Sequence, residues 1–291
     1  SIFMSLLMAA SMLTVLMSVQ PTEEVSAAND YGLADNIQDG AILHCFDWKY
    51  NDIKAELQNI AEAGFSAIQT SPAQVGGGSG TWWWLYQPLG FYVGNNDLGT
   101  KDELKALCAE ADTYGIKVVV DVVANHLAGD HSNIQNDLKD GKYWHNESGG
   151  IDYSNRWQIT HRDIGMPDIN SENSYVQQVV KNYLLELKSL GVDGIRWDAA
   201  KHISLPSESC NFWPTVTEGT GLWHYGEILD DPVANNPTLA ESLMQEYSKY
   251  ISFTDSGYCA NVRMAFRSNE ITSSIGNFSE RGISKDKLVY W

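Results

Sequence analysis

From Ala41 onward, short apolar runs alternate with stretches in which apolar residues recur every three or four positions, a pattern that predicts strands alternating with helices in a parallel α/β architecture. Residues 41–48 read as the first strand. The helix after it begins at Asn51, puts Ile53, Leu57, Ile60 and Ala61 on one face, and closes at Gly64. Residues 66–72 form a second strand. Thr100 and Glu103 then make a capping box ahead of Leu104, Leu107, Cys108 and Ala111, with Gly115 as the stop and a buried strand at 117–123. Periodicity is lost from Leu127 to about Asp168, a span too long for a plain connection, which predicts a small inserted subdomain. It returns in the clearest amphipathic helix of the chain, carried by Val176, Val179, Val180, Tyr183, Leu184, Leu187 and Leu190 before Gly191. Further strands are expected at 192–199, 222–229, 250–254 and 286–291.

Seven such runs suit a (β/α)8 TIM barrel that is incomplete on its C-terminal side. Residues 28–126 would form its first part, 127–170 the inserted subdomain and 171–291 its second part. The rival doubly wound sheet needs a glycine fingerprint joining a strand to a helix. The run Gly76-Gly77-Gly78-Ser79-Gly80 has no helix behind it and is expected to be a flexible loop. Ahead of the barrel, residues 4–19 are apolar and uncharged, and Gln20-Pro21 and a small-residue run ending at Ala28 follow. That order predicts a secretory signal peptide over 1–27, clipped at its start, because the apolar run is shorter than the roughly 20 residues of a membrane span. The expected location is extracellular.

Composition narrows the partners. Acidic residues outnumber basic ones 37 to 19, and a net charge of −18 repels nucleic acid and anionic membranes, which leaves a neutral ligand as the better fit. Ten Trp and fourteen Tyr exceed what a core alone requires, and aromatic faces suit the flat apolar faces of sugar rings. Cys45, Cys108, Cys210 and Cys259 have no metal-site spacing. They allow three disulfide pairings in an oxidising compartment, with buried free thiols as the equal alternative.

Strand parity supplies candidate chemistry. In Gly194-Ile195-Arg196-Trp197-Asp198, Arg196 and Asp198 share a face, and charged groups at the C-terminal ends of barrel strands belong to a site because the lower layers are apolar. Arg196 beside Asp198 suits an anionic nucleophile, with a structural ion pair as the bland alternative. The same parity puts Trp223, Tyr225 and Glu227 together, an aromatic surrounding suited to a proton donor. Retaining glycoside hydrolysis needs two such carboxyl groups about 5–5.5 Å apart, which neighbouring strands can supply. Asp121, Asn125 and His126 stand where the third strand ends. Of the residues in Trp82-Trp83-Trp84-Leu85-Tyr86-Gln87, not all three tryptophans can be buried in so irregular a segment, so some should offer stacking faces.

Taken together, the segments 121–126, 166–170, 194–202 and 226–228 resemble, in order, the conserved blocks of the α-amylase family of glycoside hydrolases, and the chain is most like secreted bacterial α-amylases from about Ala41 to Trp291. The resemblance implies endo-hydrolysis of α-1,4-glucosidic bonds in starch and glycogen by double displacement, with Asp198 as nucleophile, Glu227 as acid/base and Arg196 orienting the nucleophile. It implies sugar contacts from His126, Tyr86 and Gln87, stacking from Trp82 and Trp83, and leaving-side contacts from Lys201 and His202. A calcium ion is implied on Asn125, Asp168 and the carbonyl of His202, with a further carbonyl near Arg162; such oxygen donors suit a hard cation. An α-glucan substrate and a monomeric state complete the expectation. The family's next block, a His-Asp pair bearing a third catalytic carboxylate, is expected just beyond Trp291, as are the eighth strand and a C-terminal sandwich domain. Their absence from this chain leaves a non-catalytic glucan-binding barrel, or a related α-glucosidase or transglycosylase, as the alternative readings.

Overall fold

The computed structural model describes residues 31–268 and 283–290, so the predicted signal segment and Trp291 lie outside the described residues. Strands β1 (Ile42–Cys45) and β2 (Ala67–Thr70) flank helix α1 (Tyr50–Glu62). A short hairpin of β3 (Gln74–Gly76) and β4 (Pro88–Val93) precedes α2 (Lys101–Thr113) and β5 (Lys117–Val123). After the inserted segment, which holds α3 (Arg156–His161), come α4 (Ser174–Ser189), β6 (Gly194–Asp198), α5 (Phe212–Thr217) and β7 (Trp223–Gly226). Helix α6 (Pro237–Tyr247), β8 (Ser252–Thr254), α7 (Ser256–Ser268) and β9 (Leu288–Val289) follow.

Seven strands form one sheet, each parallel to its neighbour, in the order β1-β2-β5-β6-β7-β8-β9. These are the seven runs read from the sequence, and they build the curled wall of an incomplete β/α barrel. Ala67, Val119 and Tyr225 meet Ile37 inside the curl, whereas Ile68, Val118, Val120, Val122 and Ile195 face the helices in the larger core. The alternation follows from the pleat: successive side chains leave opposite sides of a strand.

Trp197 shows why the register of β6 is secure. It is fully buried on the helix side, edge-on to Phe212 and Trp213 with ring centroids 5.7 and 5.5 Å away, and stacked on His224 at 5.8 Å. Truncating so large a buried side chain costs about 3–5 kcal/mol. A one-residue slip would expel it and turn Arg196 and Asp198 towards the helices.

The capping box on α2 forms as expected: Glu103 N donates to Thr100 Oγ1 at 3.2 Å and Thr100 N donates to Glu103 Oε2 at 2.7 Å. Gly191 closes α4 at φ +99°, a conformation that glycine alone adopts at little cost. The segment expected to be a flexible glycine loop differs. Gly76 belongs to β3, and a Cβ there would lie 2.4 Å from the Trp84 carbonyl oxygen, while one on Gly78 would lie 2.5 Å from the Trp84 ring. These glycines let a tryptophan pack against the backbone, which orders the turn.

Within the inserted segment, Arg156 is buried. Its guanidinium donates to Glu208 Oε1 and Oε2 at 2.8 and 2.9 Å, to the Tyr247 hydroxyl at 2.9 Å, and to the Lys201 carbonyl. One side chain thereby joins the insertion to the turn after β6, to the turn before α5 and to α6.

Candidate active site

The strand ends bring four charged groups together. In register, Asp121 lies beside Arg196, Val123 beside Asp198, and Arg196 beside Tyr225. Arg196 Nη1 donates to both Asp121 oxygens at 2.9 Å and to Asp198 Oδ1 at 2.8 Å, while Nη2 lies 3.2 Å from Glu227 Oε1. Asp198 and Glu227, from adjacent strands, thus flank one guanidinium. Arg196 makes the Glu227 surrounding ionic as well as aromatic, and the second Glu227 oxygen accepts from the Ala199 amide at 3.3 Å. Ala199 itself is held at φ +50°, a left-handed conformation that costs an ordinary residue about 1–3 kcal/mol. That sharp exit from β6 aims its amide at Glu227.

Asp121, which the sequence reading mentioned without a role, is fully buried beneath this cluster. Burial pushes its carboxyl up to about 7 against the opposing pull of Arg196. The Tyr86 hydroxyl donates to Asp121 Oδ2 at 2.9 Å, and His126 Nε2 lies 3.1 Å from the Tyr86 carbonyl oxygen. The aromatic loop is therefore pinned onto the strand ends. His126 is buried, and burial lowers its pKa, so the ring is neutral, with Nδ1 lacking any hydrogen-bond partner. The signal for Asp121 was available: an Asp amid six strand residues dominated by valine, on the parity of Arg196, can only meet a cation.

Trp82 and Trp83 are exposed, as the irregular segment predicted, and Trp82 lies 5.5 Å from Phe46 and 6.0 Å from Tyr86. Phe46 stacks on Tyr86, so an aromatic wall borders the carboxylates. Sequence reasoning did not single out Phe46. Gln87 is half-buried, and its carbonyl accepts from Gly77 N at 2.8 Å. Across the mouth, Lys201 Nζ donates to the Leu229 carbonyl at 2.6 Å and sits over the Tyr153 ring. The His202 imidazole is buried, 2.8 Å from the Ile159 carbonyl, so its ring serves the contact with the insertion.

Asn125 and Asp168 are both buried and adjacent, joined through the Ile169 N to Asn125 O bond at 2.9 Å. The Asn125 amide nitrogen has no partner, and burial pushes the Asp168 carboxyl up to about 7, with His145 Nδ1 2.5 Å away as its side-chain partner. The desolvated Asp168 carboxylate and the side-chain oxygen of neighbouring Asn125 are the oxygen donors that a hard cation takes.

A cavity of about 440 Å³ opens between β1 and β9, the two end strands of the sheet among the described residues. It reaches Arg196 and Glu227 from the barrel interior but touches none of Asp198, His126, Tyr86 or the exposed tryptophans. It is the open seam of the sheet, whereas the carboxylates and the aromatic wall define the mouth.

A family model described as alpha amylase, catalytic domain, matches residues 51–255. The chain belongs to the α-amylase family. It is 37% identical over 278 residues to an α-amylase of Clostridium acetobutylicum, covering 88% of this chain and 35% of that protein. Against an α-amylase of Butyrivibrio fibrisolvens it is 33% identical over 298 residues, covering 88% and 30%. The chain thus spans about a third of the length of these relatives. Among solved structures, a mutant of α-amylase I from Eisenia fetida in complex with maltohexaose superposes with a TM-score of 0.71 at 22% identity, covering 86% of this chain and 57% of that one. An α-amylase from Malbranchea cinnamomea gives 0.68 at 20% identity, covering 80% and 55%. At these identities the structural likeness concerns the fold, and it places the parallel sheet among the family's barrels.

Proposed function

We propose that the chain carries the catalytic carboxylate pair of a secreted endo-acting α-1,4-glucan hydrolase working with retention. The carrying observation is the single guanidinium of Arg196 bonded to Asp198 and approached by Glu227 at the C-terminal ends of adjacent strands. The relatives named α-amylase and the neighbour solved with maltohexaose support an α-glucan as the substrate class.

In this reading Asp198, oriented by Arg196, attacks the anomeric carbon of a sugar lying against the aromatic wall of Phe46, Trp82 and Tyr86. Glu227, steadied by the Ala199 amide, gives a proton to the departing glycosidic oxygen and later removes one from the water that releases the sugar. Buried Asp121 fixes the other side of Arg196. His126 steadies the Tyr86 loop through Nε2 beside the sugar position, and Lys201 borders the leaving side. Asn125, Asp168 and the His202 carbonyl would hold calcium, whose charge would compensate buried Asp168 and fasten the insertion to the barrel. The apolar segment 4–19 and the small residues after it support export with cleavage near Ala27.

Starch hydrolysis by the polypeptide of the whole reading frame tests the assignment. Asp198→Asn and Glu227→Gln should each lower kcat by at least about 10²–10⁴-fold. Near-wild-type activity in either variant rejects the pair, and products longer than a maltooligosaccharide substrate would make the enzyme a transglycosylase.

A further inference from the structure

A second cluster lies at the junction of the insertion and the barrel, away from the carboxylate pair. His161 is the last residue of α3, Glu172 immediately precedes the Asn173 cap of α4, and His145 stands between them in space. Their ligating atoms all lie within 4.8 Å of one another. His145 Nε2 is 2.6 Å from Glu172 Oε2, and His161 Nε2 is 3.9 Å from Glu172 Oε1.

We propose that His145, His161 and Glu172 bind a zinc-class divalent transition metal, at a site separate from the oxygen-donor positions of Asn125 and Asp168. Two imidazoles and a carboxylate are a borderline-soft donor set that suits zinc far better than calcium. Three further observations point the same way. Glu172 Oε1 is buried and faces His161 Nε2 at 3.9 Å, with the Ser204 hydroxyl the other polar group beside the carboxylate. The non-ligating nitrogen of each ring is already held: His145 Nδ1 by Asp168 Oδ2 at 2.5 Å, and His161 Nδ1 by the Trp157 carbonyl at 3.1 Å. Such outer partners fix the ring and tautomer of a metal-bound histidine, and the Asp168–His145 pair is the carboxylate–histidine arrangement that supports zinc.

The rings are also packed against neighbours. Trp157 stacks on His161 with centroids 4.8 Å apart, and the two imidazole centroids are 4.5 Å apart. Zinc needs about 2.0–2.1 Å to nitrogen and about 2.0–2.2 Å to oxygen, so tetrahedral binding requires His145 Nε2 and Glu172 Oε2 to part by less than about 1 Å. Water would take the fourth position. Because Glu172 lies at the start of α4 and both histidines lie in the insertion, the metal would bridge the two.

The test uses the untagged chain, stripped with EDTA and returned to buffer containing saturating CaCl2, so that any calcium position is already filled. Titration with ZnCl2 in a calorimeter should show one ion per chain, and Co2+ should give the visible bands of four- or five-coordinate geometry. His161→Ala and Glu172→Gln should each weaken zinc by roughly 100-fold or more, since even outer-shell changes cost about 10–100-fold. In EDTA both variants should still melt cooperatively, Glu172→Gln below the wild type because it also loses the 2.6 Å contact with His145. If His161→Ala fails to fold, His161→Gln, which keeps the side-chain volume, replaces it. Unchanged zinc affinity in both variants, displacement of zinc by CaCl2, or a six-coordinate Co2+ spectrum in the wild type would overturn the proposal.

Discussion

His224 should make this fold sensitive to acid, by an amount that follows from its surroundings. The ring is buried on β7, stacked on Trp197, with Nε2 3.1 Å from Thr220 Oγ1 and Nδ1 unpartnered, and burial lowers its pKa to about 3. In the unfolded chain the ordinary value is about 6.5. Because the folded value is the lower one, the folded state binds fewer protons; the stability from a neutral ring is complete above pH 6.5 and is lost as pH falls towards 3. Each pH unit well inside that window is worth about 1.4 kcal/mol, and because the ring is only half-titrated at 6.5 it should remove about 2 kcal/mol in all between pH 7.5 and 5.0. Asp121 and Asp168, whose folded values are raised to about 7, act in the opposite direction over the same range, so the absolute slope mixes several groups. The comparison that isolates His224 is His224→Gln, which cannot titrate and can still reach Thr220. Urea unfolding at pH 7.5, 6.5, 5.5 and 5.0 should show the variant losing about 2 kcal/mol less than the wild type on acidification, whatever its offset at pH 7.5. Parallel curves for the two proteins would show that the ring takes up its proton in the folded state and that burial is not controlling it.

Arg156→Met should destabilise the chain by about 3–5 kcal/mol in urea unfolding, because Glu208, the Tyr247 hydroxyl and the Lys201 carbonyl all lose a buried cation, and a loss under 1 kcal/mol would contradict this account. The thiols of Cys45, Cys108 and Cys210 are buried and pushed up to about 12, so a thiol reagent at pH 8 should leave all three unmodified in the native chain and modify them in denaturant. Prompt native labelling of Cys108, read by peptide mass mapping, would show that the α2 face opens.

Most of the sheet was legible because parallel barrel strands are short apolar runs set between amphipathic helices, and α2 shows its capping box and α1, α2 and α4 their closing glycines in plain view, although α1 starts at Tyr50 with no side-chain cap. The parity of Arg196 and Asp198 was equally readable. The β3–β4 hairpin was missed because its glycines look like a flexible linker until Trp84 is placed against them, a contact that no local pattern encodes. Helix α6 was passed over although Asn236-Pro237 and the spacing of Ala240, Leu243, Met244 and Tyr247 announce it. Arg196 was paired on paper with Asp198 alone; that it also gathers Asp121 and Glu227 depends on strand order, which sequence alone does not state. The meeting of His145, His161 and Glu172 is likewise a product of how the insertion folds back.

Asp198, Glu227 and the Asp121 carboxyl beneath them share a single guanidinium, so the strand ends have no spare positive charge, inside a molecule that is already strongly acidic. Such a mouth favours a bound species as it turns cationic beside the Asp198 carboxylate and disfavours anions of similar size. Phosphorylated or sulfated sugars should therefore be turned away from this mouth, and a neutral sugar gaining positive charge at its ring oxygen should be steadied there.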